Sequence, residues 1–102
     1  FIHRIIRHVV DEVRSMPEAQ KIMEYDKVLD RILWELGYQG SLGEKMKKYG
    51  KHFKNENAIW EAHKRRNKLA HEVGYKLDEK ETNKIAKAYE REIEWLLKKP
   101  LR

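Results

Sequence analysis

The chain contains no cysteine, which removes disulfides, thiolate metal sites and thiol nucleophiles together and fits a reducing, cytoplasmic setting. No apolar run approaches the ~18 residues that a membrane span needs, and the first residues lack a signal-peptide pattern, so no membrane insertion by this segment is expected. Alternation of apolar and polar residues is also missing, which argues against strands. Proline occurs twice and glycine five times. Gly37, Gly40 and Gly43 cluster in one connection, but the Gly-Lys-Ser/Thr ending of a nucleotide-binding loop is absent. Zinc chemistry fails on spacing: His63 and His71 lie about 12 Å apart along a helix axis, whereas zinc holds its ligands at about 2 Å. No His-Glu-x-x-His pattern and no Ser/His/Asp spacing for a hydrolase triad occurs. Neither a metal nor a cofactor is expected.

What is present is helical periodicity. Ile2, Ile5, Ile6, Val9, Val10 and Val13 recur at steps of three and four, the stripe of a packed helix. Ser15 and Pro17 break and restart the chain, serine as a cap and proline in a first turn. A second helix is predicted from about Glu18 to Leu36, with Ile22, Tyr25, Leu29, Ile32, Leu33 and Leu36 inward. Ser41 and Glu44 form a capping box for a short helix, Leu42 to Tyr49, whose face is Leu42, Met46 and Tyr49 and whose lysines face water. Phe53 is expected against the core, with Asn55 or Asn57 capping the next helix. Asp78 and Glu81 repeat the capping box before a last helix, about Glu79 to Lys98, that buries Ile85, Ala86, Tyr89, Ile93, Leu96 and Leu97 and stops before Pro100. The fold class is all-α, a four- to five-helix up-down bundle. Residues 1–17 read as a leading helix or a linker from a missing N-terminal part, since the chain starts at Phe1 without Met, and residues 18–99 as the domain.

The stretch Asn57 to Gly74, NAIWEAHKRRNKLAHEVG, reads as one helix with an unusual inner face. At about 100° per residue, Ile59, Ala62, Leu69 and Val73 share a stripe with Arg66 in its middle. Trp60, His63, Asn67 and His71 lie beside it. A buried arginine needs a partner, and Asp26, at the edge of the second helix's apolar face, is the carboxylate placed to supply one. The pair would hold the guanidinium in place or simply neutralise it. His63 reads as solvated or as a support for its neighbours, and His71 in the last turn suits the helix C-terminus.

The net charge is +6, and it is not spread evenly. Between Glu44 and Lys68 nine Lys/Arg face three Glu, while the rest of the chain balances at fourteen of each sign. A polyanion would be drawn to this region, with Lys47, Lys48, Lys51, Lys54, Arg65 and Lys68 attracting phosphate rather than reading bases. The plainer reading of such lysines is a solvated face.

The spacing Arg66, Asn67, then His71 resembles the motif of the HEPN superfamily, small all-helical domains marked by Arg, four to six residues, then His, near the end of the penultimate helix. RRNKLAHE and the upstream GYQGSLGEKMKKYG add to the likeness, which covers about residues 18 to 98. The resemblance implies a HEPN-like domain that dimerises so that two motif helices face each other, in a toxin–antitoxin or defence setting, with a cognate antitoxin or a fused domain as a further partner. Members paired with nucleotidyltransferase antitoxins carry Tyr two residues after the His. Here that position is Val73, and the next tyrosine is Tyr75.

The residues suit metal-free RNA cleavage, in which a 2′-hydroxyl attacks the adjacent phosphate. His71 can act as base or acid, Arg66 can grip phosphate with two donors, and Asn67 can bond His71 or the phosphate. One motif supplies only one histidine, so the expected unit is a homodimer with a composite Arg/His site, joined through Trp60, His63, Asn67, Ala70 and His71. The alternative expectation is a non-catalytic helical dimerisation or protein-interaction module of a larger chain.

Overall fold

The fold, seen in a computed structural model that describes residues 2–100, is an all-α bundle. Among the described residues there are five α-helices: α1 (Ile2–Arg14), α2 (Glu18–Glu35), α3 (Leu42–Tyr49), α4 (Glu56–His71) and α5 (Glu79–Leu96). A 3₁₀ turn, Gly50–His52, links α3 to α4.

Three of the helix starts are set by side chains that accept from otherwise unpaired N–H groups. At α3 the capping box is complete: Glu44 N donates to Ser41 Oγ at 3.2 Å and Ser41 N to the Glu44 carboxylate at 3.0 Å. Asn55, not Asn57, caps α4 through Ala58 N at 3.1 Å. Asp78 accepts from Glu81 N at 2.7 Å, but Glu81 turns its carboxylate to Arg65 instead, so the box expected there is half formed. The cap expected from Ser15 is absent: Ser15 Oγ donates to Glu12 O at the end of α1, and α2 begins behind Pro17 with no side-chain cap.

The core lies between α2 and α5, whose interface is the most extensive in the bundle. Tyr25, Leu29, Ile32 and Leu33 of α2 and Tyr89, Ile93 and Leu96 of α5 are fully buried, joined by Met46 of α3 and Ile59 of α4. Each such side chain contributes about 1.5–3 kcal/mol relative to exposure. Helix α1 adds Ile6, Val10 and Val13 to this core. It is fastened to α5 by His3 Nε2 donating to Leu97 O at 2.8 Å and by Arg7 and Arg14, which both grip Glu94. These pairings make α1 and α5 antiparallel. The predicted stripe of α1 is wider than what covers it, because Ile5 and Val9 remain exposed.

Charged residues also occupy core positions, Lys45 and Glu92 among them. Lys45, expected in water with the other lysines of α3, is buried and donates to Asp30 Oδ1 at 2.7 Å; its aliphatic stem fills the stripe between Leu42 and Tyr49. Glu92 of α5 is 2% exposed and accepts from the backbone N–H of Lys54 at 2.6 Å and of Asn55 at 3.1 Å. It thereby pins the start of α4 to the end of α5. With Arg65 meeting Glu81 near the other end, α4 and α5 run antiparallel.

Helix α4 ends earlier than its periodicity predicted. Glu72 is extended, with ψ 121, and Gly74 takes a φ of +80. Val73, read as a core residue, is therefore fully exposed. The glycine suits that backbone because a Cβ disfavours left-handed φ.

Two outcomes are expected. Glu92→Ala leaves two backbone N–H groups without an acceptor and lowers stability by roughly 2–4 kcal/mol in urea unfolding, with Glu92→Gln losing less. A loss below about 1 kcal/mol would show that the loop finds water instead. The second outcome concerns alkali. Burial pushes the Tyr25 and Tyr49 hydroxyls up to about 12, against an ordinary value of about 10. The unfolded chain ionises first, so stability is full below about pH 10 and declines between about pH 10 and 12. Tyr25→Phe should flatten that decline in unfolding curves taken across this range.

Candidate functional site

Asp26 is the hub of the region around the motif. It sits at the inner edge of α2, 5% exposed, and receives side chains from two other helices. Tyr89 of α5 donates its hydroxyl to Oδ1 at 2.6 Å. His63 of α4 approaches the same oxygen through Nδ1 at 3.1 Å. Arg66, one turn further along α4, brings Nε to 3.2 Å from Oδ2. That N–H is not aligned as a hydrogen bond, so the Arg66 contact is a charge pair rather than a directed bond.

The protons in this cluster can be assigned by elimination. A carboxylate accepts, so His63 donates from Nδ1. Nε2 faces Asn67 Nδ2 at 3.4 Å. The amide oxygen of Asn67 faces the other way and accepts from Arg66 Nη1 at 3.3 Å. A chain of polar contacts thus runs from Tyr89 in the core through Asp26 and His63 to Asn67 and Arg66 at the rim. Burial first, then the Asp26 carboxylate, holds Tyr89 far above the usual tyrosine range, so it stays a donor. Trp60 closes one side of His63, ring edge to face at 6.1 Å.

Of the residues singled out from sequence, Asp26, Arg66 and Asn67 are brought together. His63, read as solvated or supporting, is buried and holds Asn67 from within. His71 stands apart: it is the last residue of α4 and exposed, and no bond to it is seen among the described residues. Asn67 faces His63 and Arg66 rather than His71. Ala70 is exposed beside His71 and Trp60 is half-buried. Arg66 finds its opposite charge in Asp26 of the same chain, as its place on the apolar stripe implied.

The cations divide in a way that the linear sequence concealed. Arg65 is held by Glu81 at 2.6 Å and Glu61 at 3.1 Å, with Tyr75 OH at 3.4 Å. These bonds raise its pKa and leave little of its charge for phosphate. Lys68 lies over Tyr75 near the motif. Lys47 and Lys48 end α3, while Lys51 and Lys54 sit in the connection before α4. Lys54, just ahead of α4, is separated from His71 by the length of that helix, about 24 Å at 1.5 Å per residue.

Tyr89 and His63 were missed as partners of Asp26 because each also fits an ordinary core or surface pattern. Glu92 and Lys45 carried a signal that was available, a charged residue inside an apolar stripe. Among the described residues no group of three or more His, Asp or Glu side chains could hold a metal ion, and no helix is long and apolar enough to cross a membrane. Comparison with family models, characterised proteins and solved structures found nothing that matches this chain.

Asp26→Ala is expected to cost about 3–5 kcal/mol, because it leaves Arg66 and two donors facing a buried gap. Tyr89→Phe should cost only about 1 kcal/mol. Chemical unfolding of both variants checks the order, and equal losses would mean that Asp26 is not the hub.

Proposed function

We propose that this chain is a HEPN-like, metal-independent RNA-cleaving or RNA-binding domain acting as a homodimer, with Arg66, Asn67 and His71 of two copies forming one composite site. The observation that carries the reading is the contrast along the last turns of α4. Arg66 and Asn67 are held in place by Asp26 and His63, while His71, one turn on from Asn67, is exposed at the helix end. A fixed guanidinium and amide beside a free imidazole are the parts needed for phosphoryl transfer to a 2′-hydroxyl, in which the P–O2′ bond forms and the 5′-oxygen leaves. The second copy is required for the chemistry, since a single imidazole would have to serve as both base and acid. RNA as substrate, a cytoplasmic toxin–antitoxin or defence role and a cognate antitoxin or fused domain as partner belong to this proposal.

The alternative, a non-catalytic interaction module, draws on the apolar surface of Ile5 and Val9. Cleavage of mixed RNA in EDTA separates the two. The expected result is 2′,3′-cyclic phosphate ends, reduced at least about a hundredfold in His71→Ala, as removal of a general acid or base implies. His71→Ala should shift the unfolding midpoint little, because the exposed side chain meets only the pole of the helix end. RNA that stays intact at high protein concentration, with a monomer by light scattering, would remove the composite site.

A further inference from the structure

At the end of the bundle opposite His71, one indole gathers an unusual number of cations. Lys54, Lys98 and Lys99 each place their ammonium group 5.6 to 5.8 Å from the ring centre of Trp95. They come from two parts of the chain, the connection before α4 and the end of α5. Trp95 Nε1 donates to His52 O at 3.4 Å, which ties the ring to the 3₁₀ turn. Beside it lies a shallow depression of about 210 Å³ lined by Tyr38, Tyr49, His52, Leu36 and Lys99.

The carboxylates of this region answer the lysines only in part: Arg7 first, then Arg14 and last Lys98 hold the Glu94 carboxyl below its usual range. Glu94 is held by Arg7 and Arg14, and Glu92 is turned inward onto the backbone N–H groups of Lys54 and Asn55. Glu90 and Glu94 line the groove that Trp95, Lys54, Arg91 and Lys98 also line, so opposing charge reaches that flank of the indole, whereas no carboxylate lines the depression formed with His52 and Lys99. Three ammonium groups around one ring repel one another, and a single indole satisfies them poorly. A ligand that carries both negative charge and flat aromatic groups would relieve both conditions.

We infer that Trp95, His52, Lys54, Lys98 and Lys99 form a platform for single-stranded nucleic acid, in which a base stacks on the indole and the lysines move out to the flanking phosphates. Stacking of this kind tolerates any base, and the lysines follow the backbone without reading sequence. The inference rests on the RNA reading for its ligand class, but not for its chemistry. The platform lies the length of α4 away from His71, so it holds a strand rather than cutting it. It also gives Lys54 a role that its distance from the motif denies it there.

The test uses oligothymidylate, which lacks the 2′-hydroxyl and is not cleaved by the proposed chemistry. The three tryptophans give three indole N–H signals in a nitrogen–proton NMR spectrum, assigned by Trp→Phe variants. Trp95 reports the platform, Trp60 the Arg66 region, and Trp34, stacked under Arg31, the remaining surface. Oligothymidylate should shift the Trp95 signal first. Trp95→Leu should weaken binding at least about fivefold, with Trp95→Phe intermediate. Changing Lys54, Lys98 and Lys99 together to Gln should weaken binding and lower its salt dependence; these exposed or partly exposed side chains guard against a misfolded Trp95 variant.

Shifts at Trp60 alone would overturn the platform, and so would equal affinity in folded Trp95→Leu. Heparin, a polyanion without bases, reproducing the Trp95 shift would remove the stacking. Binding to anionic vesicles with no response to oligothymidylate would give the surface to a membrane instead. A Trp95 shift in a protein that never cuts RNA keeps the platform and rejects the nuclease, and the converse holds equally.

Discussion

A carboxylate withdrawn from water must be met by donors, and Asp26 imposes that requirement on three helices. Its oxygens are met by Tyr89, His63 and Arg66, so α2, α4 and α5 cannot slide past one another without exposing a buried charge. Hydrophobic contact alone tolerates such slippage far better, because apolar burial is non-directional. The same contacts fix what the outer surface offers. With Nε turned toward Asp26 and Nη1 toward Asn67, the guanidinium of Arg66 presents its outer edge rather than swinging freely.

Glu92 applies the same constraint at the start of α4. It accepts from two consecutive backbone N–H groups, and Asn55 then caps the next turn, so the start of α4 is determined by side chains from α5 and from the loop itself. Helix α4 is thus held by buried carboxylates at its start and at its middle, by Glu92 through backbone and by Asp26 through side chains. The helix is weakly amphipathic in sequence; its position follows from these polar anchors together with Ile59 and Ala62.

Much of this was legible in the sequence. Period and caps gave the helices of the bundle, because both are local, and the pairing of Asp26 with Arg66 followed from finding one charge on each of two apolar faces. His63 was harder. Its position beside the stripe is compatible with solvent, and only the closeness of α2 makes it a donor to Asp26. Val73 failed for a different reason: periodicity carries no stop signal, and the stop comes from Glu72 leaving the helix ahead of Gly74. The grouping of lysines failed because proximity in sequence is not proximity along a rod, and α4 carries Lys54 and His71 to opposite ends.

That separation also bears on how an anion would meet each end. The C-terminal end of α4 carries the negative pole of the helix dipole, which opposes phosphate by up to about 1 kcal/mol at an exposed site. Arg66, half neutralised by Asp26, and Lys68 are the cations placed to offset it there. The N-terminal end has the favourable pole, where Glu92 and Asn55 already accept from the N–H groups of Asn55 and Ala58. The lysines around Trp95 add their charge at that end. The two ends of α4 thus present different devices to the same class of ligand: one fixes a few donors closely, the other spreads mobile charge around a stacking surface.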